Sequence, residues 1–253
     1  MNYLAYAFVR RALLVACVFA PVAALYGVPM TLRGKTRMAD GLAQIAFTAM
    51  VAASLTGIGA SVLVLPVTVL AALGLTRLRS FSDAKIAAIG TTALAAGYFA
   101  MNLTHSSANP ATDVCTVLFG TSSILTLSDT DTLLAVAISL VGIVYFVRNR
   151  RAILAHTVDP DAPSVRGMTV VTALVIALGV RLVGSLLTTG LMVLPVLGTM
   201  ACGSFYKCAR RSAVLAFVAG AVGLFLSVVI GAGAGVVILL VLAVLSVVVG
   251  VIA

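Results

Sequence analysis

Two oxygen-bearing side chains open an apolar run early in the chain: Asp40 and, four residues on, Gln44. On a helix that spacing stacks both on one face. An Asp at mid-bilayer costs about 2.5–3.5 kcal/mol on insertion scales, so such a residue tends to line a pathway or to pair. An Asp at the head of an apolar run is also a favoured N-cap, with no further role. Position alone leaves both readings open.

Other chemistry is scarce. A phosphate-binding loop of the form G-x-x-x-x-G-K-[ST] has one candidate end, Gly34-Lys35-Thr36, but its first glycine would fall on Pro29. Any ATPase must therefore be another chain. His105 and His156 lie far apart in two polar loops expected on opposite membrane faces, which argues against a shared metal site. There is no H-E-x-x-H, no Ser-His-Asp spacing and no carboxylate pair inside an apolar run. Asp159 and Asp161 flank Pro160 in a loop and read as solvated turn residues unless something external docks there. Cys17, Cys115, Cys202 and Cys208 contain no C-x-x-C, so a disulfide framework is not expected; they read as small apolar residues. The chain is expected not to be an enzyme and to hold no cofactor.

The elements that must position Asp40 and Gln44 follow from composition. Apolar residues make up 62% of the 253, and charged ones 9%. A soluble domain carries about 45–50% and about 25%, so polar side chains are too few to cover a water-facing surface. A soluble enzyme is excluded. The expected fold is all-α: one polytopic transmembrane domain over residues 1–253, with about eight to nine spans of ~20 residues each. Apolar runs at 12–30, 40–55, 60–75, up to about 103, 133–147, 168–180, 182–201, 214–230 and 235–252 supply them. The run 168–180 is short and ends at Arg181. Residues 115–127 are apolar but too short to cross, and read as a re-entrant or surface segment.

There is no Glu, and sixteen Lys and Arg against seven Asp give a net charge of +9. In a soluble protein that balance would suggest nucleic acid. Here it reads as cytoplasmic loops of a membrane protein obeying the positive-inside rule, with no nucleic-acid partner. Loops 33–37, 77–83, 148–166 and 203–212 are expected in the cytoplasm, the N-terminus outside and the C-terminus inside. Arg181 falls on the outer side, where it is expected to snorkel to lipid headgroups. Arg10-Arg11 precede a long apolar run with no small-residue cleavage site, so the N-terminus is expected to be retained.

Several stretches together resemble the membrane permeases of the metal-ion (zinc, manganese, iron) ABC importers. FVRRALL at 8–14 is similar to that family's opening. Tyr26-Gly27, then LRGKTRMADGLAQIA at 32–46, resembles its Gly…Leu-Arg-Arg-Met…Gly-Asp-x-x-x-His segment. SDAKIAAIGTTALAAG at 82–97, VLFG at 117–120, DPDAPSVRG at 159–167 and LVGSLLTTGLMVLPVLGTMA at 182–201 follow in the family's order. The resemblance implies a multi-pass subunit of the cytoplasmic membrane, dimeric with itself or with a second permease. It implies two separate ATPase subunits on the cytoplasmic face and an extracytoplasmic metal-binding protein that delivers the cargo. It puts Asp40 and Gln44 on the metal path, and Asp159, Pro160, Asp161 and Gly167 in the loop that couples to the ATPase. Where the family pattern has His, this chain has Gln44, an amide oxygen that is a harder ligand than imidazole. Three alternatives remain: an ABC permease for a different substrate, a secondary transporter, and a structural or signalling membrane protein with no transport role. The second needs inverted repeats or intramembrane titratable groups; no repeat is evident, and Asp40 is the one good candidate for such a group.

Overall fold

The computed structural model describes residues 7–57, 60–77, 83–104, 129–159 and 167–252. Among these the chain is helical, in ten α-helices and one 3-10 turn. In order they are α1 (Ala7–Leu32), α2 (Thr36–Thr56), α3 (Ala60–Arg77), α4 (Asp83–Thr104), α5 (Asp129–Arg148), α6 (Arg150–Val158), α7 (Met168–Val183), α8 (Ser185–Leu197), the 3-10 turn Met200–Cys202, α9 (Phe205–Ile230) and α10 (Ala234–Ile252). Five stretches are long and apolar enough to cross a membrane: Arg10–Leu32, Thr36–Thr56, Asp131–Arg148, Phe205–Ile230 and Ala234–Val251. Val62–Leu75, Met168–Val183 and Ser185–Leu197 are shorter apolar helices. The expected segment at 115–127 lies outside the described residues.

Helix α1 is the hub. It packs on α9, α8 and α5, and Phe19, Val22 and Tyr26 on it are fully buried. The Tyr26 hydroxyl donates to the Gly142 carbonyl of α5 at 2.9 Å, and its ring meets Phe146 edge-on at 5.8 Å. Gly27 lets the α1 backbone lie directly against α8, since a Cβ there would sit 1.8 Å from the Met192 carbonyl oxygen. Small residues permit such approaches where no water drives helices together. Helix α1 ends in a Schellman turn: Lys35 N–H donates to Met30 O and Gly34 N–H to Thr31 O, with Gly34 at φ 68°.

Of the shorter helices, α7 and α8 lie inside. Helix α7 is buried all the way round from Val175 to Val180. At 1.5 Å per residue its 16 residues span about 24 Å and the 13 of α8 about 20 Å, less than a ~30 Å hydrocarbon core. The break between them, Leu182 to Ser185, is buried in protein, the condition under which broken helices are tolerated in membranes. Helices α5, α9 and α10 present Leu133, Leu140, Val214, Val229 and Val251 to the outside.

The loops sort to two ends of the bundle. Arg33, Lys35, His156 and Met168 line one cavity of about 100 Å³, so the α1–α2 turn, α6 and the start of α7 share an end. Gly198 packs under Ser246 near the end of α10, which brings the α8–α9 connection alongside the C-terminal turns. At the opposite end, the start of α5 meets the end of α7 through an ion pair between Asp131 and Arg181.

Three expectations need correction. The break in the 168–201 region falls at Gly184, not at Arg181: α7 runs through the arginine and stops where φ 95° and ψ 159° demand glycine. The 203–212 segment is not a loop beyond Ser204, because α9 starts at Phe205 and carries Lys207, Arg210 and Arg211 on its first turns. The 148–166 segment contains a nine-residue helix, α6, anchored by the fully buried Ile153.

Candidate metal path

Helix α2 begins at Thr36, with Lys35 at the N-cap position. Asp40 is therefore inside the helix, and the N-cap reading of that residue is set aside. Gln44 sits one turn on, and its Nε2 donates to Asp40 Oδ2 at 3.1 Å. The i, i+4 spacing has done what it predicts: both side chains share a face. Asp40 is exposed; Gln44 is half-buried, and its Oε1 is shielded from solvent with no hydrogen-bond donor within reach. That oxygen has no donor and faces Gly90 of α4 rather than open space.

What holds this face is a close crossing of two parallel helices. Gly41 lies against Ile86 of α4, and Gly90 lies over Gly41 and Gln44. A Cβ on Gly90 would come within 2.7 Å of Gly41 Cα and 2.6 Å of Gln44 Oε1. Two turns on, Thr48 Oγ1 donates to the Ala93 carbonyl of α4 at 2.6 Å, and Gly97 packs on Phe47 and Thr48. Helix α4 thus covers one flank of the Asp40–Gln44 pair. No group of three His, Cys, Asp or Glu forms among the described residues.

The residues expected to couple to an ATPase are placed in part. Asp159 follows α6, exposed, with its N–H donating to the Ala155 carbonyl at 2.9 Å. Gly167 precedes α7 at φ 88°, close to the Tyr145 hydroxyl. Both lie at the basic end. Pro160 and Asp161 lie outside the described residues.

Two functional-looking contacts went unforeseen. The Arg33 guanidinium meets His156 Nε2, tying α6 to the end of α1. Arg181, expected at the headgroups, is held instead by Asp131 at 2.5 Å, the two side chains 20% and 24% exposed. Asp131 lies fifty positions upstream, so no local pattern announces the pair.

A multi-pass, all-helical bundle with a carboxylate–amide pair on an inner helix and its loop cations gathered at one end has the make-up of a membrane transport subunit. The profile of the ABC 3 transport family matches residues 5–253, and the chain belongs to that family. The resemblance to metal-ion ABC importer permeases is thereby borne out. Among solved structures the chain is similar to PsaBC from Streptococcus pneumoniae in complex with Fab, with a TM-score of 0.81 at 21% identity, covering 96% of this chain and 91% of that one. At that identity the likeness is one of fold. No curated protein matches the sequence.

Proposed function

We propose that this permease carries a divalent transition-metal ion inward across the cytoplasmic membrane, as the transport subunit of an ABC importer powered by a separate ATPase. The observation that carries the reading is the Asp40–Gln44 pair: an exposed carboxylate that accepts from Gln44 Nε2 at 3.1 Å, and an amide oxygen with no donor of its own, on one face of a largely apolar helix. One chain offers two hard donors. A second permease copy around a two-fold axis doubles them to two carboxylates and two amides, a set whose charge matches a divalent cation. Such a set is harder than an Asp/His set and suits Mn or Fe at least as well as Zn.

In this reading the basic end faces the cytoplasm, the N-terminus lies outside, and an extracytoplasmic binding protein loads the opposite end. The ATPase docks at 152–167, where α6, Asp159 and Gly167 reach the basic end. This chain performs no bond chemistry; alternating access follows from nucleotide binding and hydrolysis in the partner. The test is uptake of Mn, Fe and Zn in cells that express the permease with its cognate partners. Asp40→Asn is expected to abolish uptake at normal expression, and Gln44→His to raise zinc retention. Parental uptake by Asp40→Asn would remove Asp40 from the path and with it the metal reading.

A further inference from the structure

Away from the Asp40–Gln44 face, α9 and α10 meet closely at one level and part at another. A Cβ on Gly223 would lie 2.6 Å from Ile238 Cα, so the backbones touch there. Toward the basic end they enclose an open groove of about 970 Å³, within the range of roughly 300–1,000 Å³ that holds small molecules. The groove has two chemistries in sequence. Lys207, Arg210 and Arg211, all exposed on the first two turns of α9, form its mouth. Val218 of α9 with Leu245 and Val249 of α10 form its deeper wall.

The positive-inside rule accounts for cations at this end, but not for a groove that joins three of them to an apolar trough. Among the described residues no acidic side chain pairs with any of the three. Arg211 Nη1 reaches the Cys202 sulfur at 3.0 Å, a contact that steadies the guanidinium and leaves its charge uncompensated. A cluster of three cations at the interface, continuous with apolar surface running into the bilayer, matches one molecule: a phospholipid with an anionic headgroup, phosphate at the mouth and acyl chain along the wall. Basic pockets between transmembrane helices on the cytoplasmic side take such headgroups. We propose that the α9–α10 groove is a binding site for an anionic phospholipid.

The chain has no tryptophan, so Val222→Trp, exposed one turn beyond Val218, provides a single reporter. The full chain is reconstituted in mixtures of brominated phosphatidylglycerol or brominated phosphatidylcholine, and quenching gives the relative affinity of the two lipids at that position. One interfacial cation contributes about a fivefold preference and three acting together on the order of a hundredfold. The expected preference for phosphatidylglycerol lies between these. It should fall to that of a control reporter, Leu140→Trp on α5, when Lys207, Arg210 and Arg211 are all changed to Gln. It should persist in the charge-keeping variant Arg210→Lys with Arg211→Lys. Equal quenching by the two lipids, or a preference that survives the triple change, overturns the assignment. Failure of both lipids to quench Val222→Trp also overturns it, because a protein surface then covers the groove.

Discussion

Gly90→Ala tests whether the α2–α4 crossing sets the Asp40–Gln44 face. The added Cβ would lie 2.7 Å from Gly41 Cα, where ordinary contact begins at 3.4 Å, so the two helices must part by about 0.7 Å at that point. The second clash, 2.6 Å to Gln44 Oε1, involves the far end of a flexible side chain, and Gln44 can swing aside. The backbone contact therefore decides the stability and the side-chain contact decides the function. Overpacking of this kind costs about 1–3 kcal/mol, offset by about 0.5–1 kcal/mol for replacing a helical glycine. Gly74→Ala on α3 is the control: its Cβ meets nothing within 4 Å, so it collects the helical gain alone. For a chain of this size 1 kcal/mol moves the midpoint by about 2–4 °C. In one detergent, Gly90→Ala should melt several degrees below Gly74→Ala. Metal uptake per folded molecule should drop in Gly90→Ala and not in Gly74→Ala, because only the former displaces the amide. Equal melting of the two variants would refute the close crossing. Unchanged uptake despite a lowered midpoint would refute the link between the crossing and the path.

Gly184→Ala forces a Cβ onto a backbone at φ 95° and ψ 159°; strain there is of order 1–3 kcal/mol, and a clear loss of folded yield is expected by size-exclusion profile. Asp131→Asn and Arg181→Gln should each destabilise by about 1–3 kcal/mol, as expected when a group loses a charged hydrogen-bond partner. A double-mutant cycle in the unfolding midpoint should show the pair less costly than the sum, and simple additivity would dissolve the ion pair. Replacing 159–161 by Gly-Ser-Gly is expected to lower ATPase co-purification without preventing membrane insertion, and unchanged co-purification would move the docking site elsewhere. In a cysteine-free background, Ser204→Cys should react with an impermeant reagent only from the cytoplasmic side and Ala232→Cys only from the other; the reverse pattern would invert the topology.

Much of the bundle was legible because its signals are local. Apolar runs bounded by basic or glycine-containing turns mark α3, α5 and α10, and the ends of α2 and α4, to within a few residues, and the Asp40–Gln44 contact follows from helical spacing alone. The start of α2 was not legible, since Arg37 separates Thr36 from the apolar run although helix and turn both tolerate it. Helix α6 was missed because RRAILAHTV has too few apolar residues to show a period, and its stability comes from Ile153 reaching the core and from Arg33 meeting His156. Arg181 reads as a helix interruption by its charge, but its partner lies on another helix and makes the charge affordable. The glycines are the sharpest case. A glycine in an apolar run looks like a weak point, whereas Gly27, Gly90 and Gly223 are where backbones touch, and the touching partner is always distant in sequence.

The distribution of acid narrows the choice of transport residue. Three Asp side chains are described: Asp40, Asp131 and Asp159. Asp131 is committed to Arg181. Asp159 stands exposed beyond α6, at the end where cations collect. Asp40 differs from both: its hydrogen-bond donor is a neutral amide, its face borders an apolar helix crossing, and it remains exposed. An ionised carboxylate has room for several donors or a cation; here one donor is present, and the Arg37 charge lies within electrostatic range. If Gln44 were present only to satisfy Asp40, its own carbonyl would need a partner, and it has none. On the proposed reading the Asp40 carboxylate supplies the accepting oxygen, and Gln44 turns its amide away from Gly90 to add a second. Two such pairs across a dimer would hold an ion by hard oxygens without enclosing it in a full coordination shell, weakly enough for release to follow binding.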